Sequence, residues 1–317
     1  MKLKLTVQPV DVNLSRGMSS LPFAQLQAFL AVARTGNFSA AARALQVSRS
    51  AVSQSVRQLE EQLQVVLVHR TTRSVALTAA GRRLVEGVAP AFAQTANTLV
   101  EVAAQPGEVT GTLRLTLPHA AFPLVLAPVL PTFRSRHPRV EVDVSLEDRL
   151  VDIVAGGFDA GIRLSESVQR DMVHLRLTEA FRFLVVGAPE YFVGRDRPRK
   201  PEDLLQHECI TFRSPTTGAL YAWELERGTK EWNVPVRGAV AVNDGLACAV
   251  LAKRGLGLAY VPEPNIREDL ASGGLEVVLE GYAPTVPGYF IYYPSRAQCS
   301  KALRLFVEIA REVLLGA

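Results

Sequence analysis

Residues 38–63, FSAAARALQVSRSAVSQSVRQLEEQL, carry two short helices joined by a tight turn. Ser39 has a capping side chain and is followed by AAARAL, a run of strong helix formers that ends near Leu45. Gln46-Val47 supplies the turn, and Ser48 is placed to cap a second helix running to about Leu63. Each helical residue advances by about 100°, so Val52, Val56, Leu59 and Leu63 form one narrow apolar stripe. Arg49, Ser50, Ser53, Gln54, Arg57 and Gln58 occupy the opposite half. Arginine and glutamine can make bidentate contacts with guanine and adenine edges, and serine and arginine at one helix end can hold phosphates. A simply solvated amphipathic helix would show the same two faces, so the flanking segments have to decide between these readings.

On one side stands a helix over Phe23–Arg34, with Leu26, Phe29, Leu30, Val32 and Ala33 as its apolar positions. On the other, Leu67–Thr78 reads as two short strands with Arg70 and Arg73 at their tip, a wing suited to a sugar-phosphate backbone. Between Leu21 and Thr78 there are six arginines against Glu60 and Glu61, a net +4 without a lysine. The whole chain of 317 residues, with 35 basic and 31 acidic groups, also carries +4. The remainder is therefore close to neutral: a phosphate-binding module on an uncharged body.

The run GNFSAAARALQVSRSAVSQSVRQLEEQL followed by LVHRTTRSVALTAAG resembles the winged helix-turn-helix of the LysR-type transcriptional regulators. Carried over residue by residue, the resemblance makes Ser48–Leu63 the recognition helix, with Arg49, Ser50 and Gln54 nearest the bases. It makes Ser39, Ser53, Arg70 and Arg73 phosphate contacts, and Ser48 and Arg57, a serine and an arginine on the same helix, are expected to join them. Gln64 stands where the family commonly has glycine and Val68 where it commonly has phenylalanine, which touches the course of the wing.

From Thr78 to about Ala104 the chain reads as one long helix. Val85, Val88, Phe92, Thr95, Leu99 and Val102 recur at spacings of three and four, the pattern of a coiled-coil seam. Such a seam can lie on its own domain or on a second copy; the small N-terminal module favours the copy. The family's use of this helix for dimerisation agrees. Pro90 removes one backbone donor mid-helix and should bend it. Two recognition helices on a twofold axis imply double-stranded promoter DNA with a pseudo-palindromic site. Tetramers, and contact with RNA polymerase, are expected from the resemblance alone.

Gln105-Pro-Gly-Glu108 marks a hinge, after which strands and helices alternate. Strands are expected at Thr112–Leu117, Val140–Leu146, Ala160–Leu164, Phe181–Val186 and Gly288–Tyr293, with helices at Phe122–Arg136, Asp148–Gly156 and Ser300–Leu315. The phrases HPRVEVDVS, GGFDAGIRL, PEDLLQHECITFR, GLGLAYVP and ALRLFVEIAREVL resemble, in order, the periplasmic-binding-protein-like effector domain of the same family. The implied fold is multi-domain α/β. It comprises an extension over 1–20, expected to be poorly ordered, a winged helix-turn-helix over 21–78, a linker and dimerisation helix over 79–105, and a two-lobed effector domain over 106–317. Lobe I would take about 111–180 and 286–317, and lobe II about 181–285.

Ligands of open α/β sheets bind beyond the carboxyl ends of strands. That rule selects His119 and Ala120, Arg163 and Ser165, Phe212 and Arg213, and Asn243 and Asp244 for a small-molecule effector. Backbone amides at Ala120-Ala121 with Arg163 or Arg213 would suit a carboxylate. For single residues a plainer reading stands beside this: Arg163 pairing with Asp159, Asn243 capping its helix.

No apolar run approaches the roughly 20 residues of a membrane span, and residues 1–20 lack the apolar block of a secretory signal, so a cytoplasmic location is expected. Cys209, Cys248 and Cys299 lack paired spacing and read as reduced, mostly buried thiols. His69, His119, His137, His174 and His207 are scattered without a ligand pattern, so no metal and no cofactor is expected. The absence of a nucleophile–base pair, a Gly-rich phosphate loop or HExxH speaks against an enzyme. A solute-binding protein of a transport system is the competing reading, opposed by the basic module.

Overall fold

The computed structural model describes residues 21–70, 75–103, 109–154, 156–164, 172–294 and 300–316. The extension over 1–20, Arg73, the expected hinge at 105–108, Ser165 and Cys299 lie outside the described residues. The chain divides into two compact units, Met1–Gln94 and Thr95–Ala317.

In the first unit, α1 (Phe23–Thr35), α2 (Phe38–Ala44) and α3 (Arg49–Leu63) precede a two-stranded antiparallel ribbon of β1 (Val68–Arg70) and β2 (Val75–Leu77). Val52, Val56 and Leu59 of α3 are fully buried with Phe29 and Val32 of α1 and Ala41 of α2. Burial of each aliphatic side chain contributes about 1.5–3 kcal/mol, so the stripe fixes which side of α3 turns inward. Ser48 caps α3 as expected, its hydroxyl accepting from the Ala51 amide at 3.1 Å. The cap of α2 differs from the expectation: Asn37 holds it, its Oδ1 accepting from the amides of Ser39 at 2.8 Å and Ala40 at 3.1 Å. The helix starts two residues early because Phe38 is itself drawn into the core.

The exit from α3 explains the missing glycine. Gln64 adopts φ 53°, the left-handed region glycine favours, and its Nε2 donates to the Glu61 carbonyl at 2.8 Å. Glu60 then reaches across the turn, its Oε1 accepting from the amides of Leu67 (2.8 Å) and Val68 (3.1 Å) at the wing's entrance.

Helix α4 (Ala79–Ala103) begins at Thr78, whose Oγ1 accepts from the Gly81 amide at 3.0 Å, and runs unbroken through Pro90. Its seam is only partly free. Leu84, Val85, Val88 and Phe92 pack on the core of their own module, with Phe92 and Phe23 rings 5.9 Å apart. The expectation that the module is too small to cover the seam is thus corrected for its first half. Leu99, further along, is 66% exposed.

The second unit holds two sheets. The first has order β4-β3-β5-β15-β6: β4 (Val140–Leu146), β3 (Gly111–Leu117), β5 (Ala160–Leu164), β15 (Tyr289–Pro294) and β6 (Met172–Arg176). β3 runs parallel to β4 and β5, and β15 antiparallel to β5 and β6. α5 (Ala127–Arg136) and α8 (Lys301–Leu315) cover it, with Phe133 edge-on to Phe306 at 5.4 Å. The second sheet is built on β7 (Phe181–Gly187), flanked by β12 (Ala259–Pro262) and β13 (Glu276–Val278), with β14 (Thr285–Val286) on its first residues. A hairpin of β9 (Trp223–Arg227) and β10 (Lys230–Val234), a parallel pair of β8 (Thr211–Phe212) and β11 (Ala241–Val242), and helices α6 (Gly245–Lys253) and α7 (Arg267–Ala271) complete this lobe. The expected helix over Asp148–Gly156 is absent: its described residues form bends and a turn. Asp152 Oδ1 takes the Val154 amide at 2.9 Å and Gly157 turns left-handed at φ 67°, steering the chain into β5.

Candidate DNA interface and interlobe cleft

On α3 the buried stripe leaves Arg49, Ser50, Gln54, Arg57 and Gln58 exposed together. Among the described residues, none of Arg49, Gln54 and Arg57 is held by a hydrogen bond or ion pair. Ser50 shares a hydrogen bond with the Ser48 hydroxyl at 2.9 Å, and Ser53 is half-buried. Ser39 sits in the first turn of α2, half-buried. Arg70 ends β1. Three exposed, uncommitted, long polar side chains on one side of a rigid helix can enter a groove without first breaking bonds of their own.

In the second unit, the carboxyl ends of β3 and β4 face the start of α6. His119 follows β3, and its Nδ1 lies 3.0 Å from Asp148 Oδ2 in the bend after β4. Asp244 caps α6, its Oδ1 accepting from the Leu246 amide at 2.8 Å. One ligand atom from each of His119, Asp148 and Asp244 lies within 4.8 Å of the others. Burial, and then the neighbouring Asp244, push the Asp148 carboxyl above its ordinary pKa, against the His119 hydrogen bond. Two contacts cross between the lobes nearby: Asn265 Nδ2 donates to the Ala120 carbonyl at 2.9 Å, and the Leu150 amide to Thr216 Oγ1 at 2.8 Å.

Arg163 is 4% exposed. It donates to the carbonyls of Ile162 (2.8 Å), Glu147 (3.2 Å) and Arg149 (3.1 Å), and its buried Nε has no partner among the described residues. Burial lowers its pKa. The suggested pairing with Asp159 is replaced: Asp159 Oδ2 instead accepts the Arg114 amide at 2.7 Å. Arg213 is exposed and donates to the Gly218 carbonyl at 2.9 Å, while Phe212 is half-buried in β8. The Ala121 amide is taken by the Pro118 carbonyl at 3.0 Å. Asn243 is exposed, and the cap expected of it belongs to Asp244. The donors suggested for a carboxylate are thus largely committed, and two carboxylates stand beside them. Sequence reading missed Asp148, although it follows a strand's carboxyl end and the same rule would have found it. The scattered histidines also hid one that converges with two acids.

Cys209 and Cys248 are buried free thiols, each pushed up to about 12 mainly by burial. Among the described residues no helix is long and apolar enough to cross a membrane.

Two family models match the chain: the bacterial regulatory helix-turn-helix protein, lysR family, over residues 23–82, and the LysR substrate binding domain over 106–315. The uncharacterized HTH-type transcriptional regulator YcaN of Escherichia coli K12 is 38% identical over 283 residues, 89% of this chain and 92% of its own. The HTH-type transcriptional regulator PgrR of the same organism is 34% identical over 285 residues, 90% of this chain and 95% of its own. The solved structure of CrgA, a LysR-type transcriptional regulator from Neisseria meningitidis, superposes with a TM-score of 0.57 at 25% identity, over 94% of this chain and 99% of that one.

Proposed function

We infer the function from the premise that the chain belongs to the LysR family of bacterial helix-turn-helix transcriptional regulators. It binds DNA through the N-terminal module and carries a C-terminal effector-binding domain. Within that frame Arg49, Ser50 and Gln54 read base edges, and Ser39, Ser48, Ser53, Arg57, Arg70 and Arg73 hold phosphates. The observation that carries this assignment is that Arg49, Gln54 and Arg57 of α3 are exposed and, among the described residues, uncommitted, opposite a fully buried stripe.

The exposed Leu99 end of α4 is the part of the seam left for a second copy, giving a dimer and, by likeness to the family, a tetramer. Residues 79–105 act as linker, the two lobes as effector domain, and the protein works in the cytoplasm with RNA polymerase as the natural partner of its promoter-bound form. Effector in the cleft between His119, Asp148 and Asp244 alters how the oligomer spaces its recognition helices. That coupling is reciprocal, so DNA must change effector affinity by the same factor. A footprint on upstream promoter fragments tests the reading. Two protected half-sites, one or more helical turns apart, are expected; a single unpaired site would overturn the dimeric arrangement.

A further inference from the structure

We propose that His119, Asp148 and Asp244 form a binding site for a divalent transition-metal cation, held between the two lobes. The proposal rests on the cleft reading and adds the chemical class of what enters it. One imidazole and two carboxylates are donors that suit Zn2+, Mn2+ or Fe2+. Metal–nitrogen and metal–oxygen bonds of about 2.0–2.2 Å place neighbouring donors roughly 3–3.5 Å apart. His119 Nδ1 and Asp148 Oδ2 already stand at 3.0 Å, and all three ligand atoms fall within 4.8 Å. Small side-chain rotations therefore complete the set.

Charge points the same way. Two carboxylates face one imidazole, and the Asp148 side chain is only 10% exposed. Arg163 acts on Asp148 through its charge, but directs its hydrogen bonds to carbonyls and to Thr116 Oγ1, and to neither acid. Asp244 commits only Oδ1 to its cap, which leaves its other oxygen for a ligand. Cys248, one turn along α6 from Asp244, is buried and does not share in the converging set of donor atoms. Three protein donors leave coordination positions for water or for a second ligand, as in open metal sites. Because His119 and Asp148 come from lobe I and Asp244 from lobe II, the ion joins elements that are otherwise linked nearby by two hydrogen bonds.

The test uses the full chain, stripped with a chelator and titrated with Zn2+ against a chromophoric competitor, with Mg2+ as control. Wild type should bind one Zn2+ per chain. Asp244→Asn, which keeps a good capping side chain, and His119→Gln should each weaken binding at least tenfold to a hundredfold without lowering the melting temperature of the stripped protein. No saturable site in wild type, or wild-type affinity retained by both variants, would overturn the proposal. If a variant fails to fold, Co2+ in wild type reads the donors directly: ligand-field bands without a thiolate charge-transfer band are expected, and that band would move the site to a cysteine. Metal binding is read without DNA, so its failure leaves the effector cleft standing. A filled site that never alters the footprint would instead count against the cleft's coupling to DNA.

Discussion

Replacing Glu60 by alanine should loosen the wing while leaving the exposed polar side of α3 chemically intact. In the native fold its carboxylate accepts from the amides of Leu67 and Val68, at 2.8 and 3.1 Å, and both residues are buried. Hydrogen bonds to a charged acceptor contribute about 1.5–3 kcal/mol each, and a buried amide left without a partner costs a similar amount. Because Glu60 is itself half-exposed, water can replace part of its role, and the two bonds together are worth about 2–4 kcal/mol. For a domain of 60–100 residues, each 1 kcal/mol moves the midpoint by roughly 4–8 °C, so the N-terminal unit should melt roughly 10–25 °C lower. Glu60→Gln, which keeps a neutral acceptor, should lose about half of that. Circular dichroism of the full chain, following the lower transition, measures both. A Glu60→Ala variant that melts within about 2 °C of wild type would refute the role given to this carboxylate.

Further expectations follow from local geometry. Gln64→Gly should raise the melting point of the same unit by a few degrees or leave it unchanged, because relief of a left-handed φ of 53° worth about 1–2 kcal/mol is offset by greater chain entropy in the unfolded state and by loss of the hydrogen bond to Glu61. Gly81→Ala should destabilise it, since a Cβ there would stand 2.2 Å from the Leu67 carbonyl oxygen; thermal melting reads this too. Asp159→Asn should stabilise the C-terminal unit at neutral pH. Burial holds the Asp159 carboxyl above its unfolded value, so the folded chain binds that proton more tightly and the ionised form costs stability as pH rises. Melting curves should show the variant's advantage shrinking as pH falls towards the carboxylate range, and an advantage that grew instead would reverse the assigned sign.

Which parts of the molecule the residues announce, and which they conceal, follows from the range of the interactions. The helix-turn-helix is local: a period of 3.6, a serine cap and a tight turn lie within 26 residues, and α3 falls on Arg49–Leu63 as the spacing predicts. The α2 cap went to Asn37 rather than Ser39 because Phe38 is buried, a tertiary fact. The α4 seam showed an apolar stripe but not its partner; packing of Phe92 on Phe23, 69 positions apart, settled half of it on the module itself. Asp148–Gly156 has the composition of a helix, yet the left-handed Gly157 and the Arg114 bond to its carbonyl bend it into β5. The His119–Asp148–Asp244 cluster joins three loops up to 125 positions apart, and no sequence window holds such a set.

The central claim is that the Arg49–Gln54 side of α3 reads bases. Competition binding of the full chain to its promoter fragment against scrambled DNA, at moderate salt, measures it for wild type and for the Arg49→Ala/Gln54→Ala double variant. Removing each bidentate side chain should take away about 1–3 kcal/mol of preference, so that the double variant binds both DNAs nearly alike. A double variant that keeps the wild-type preference would contradict the account.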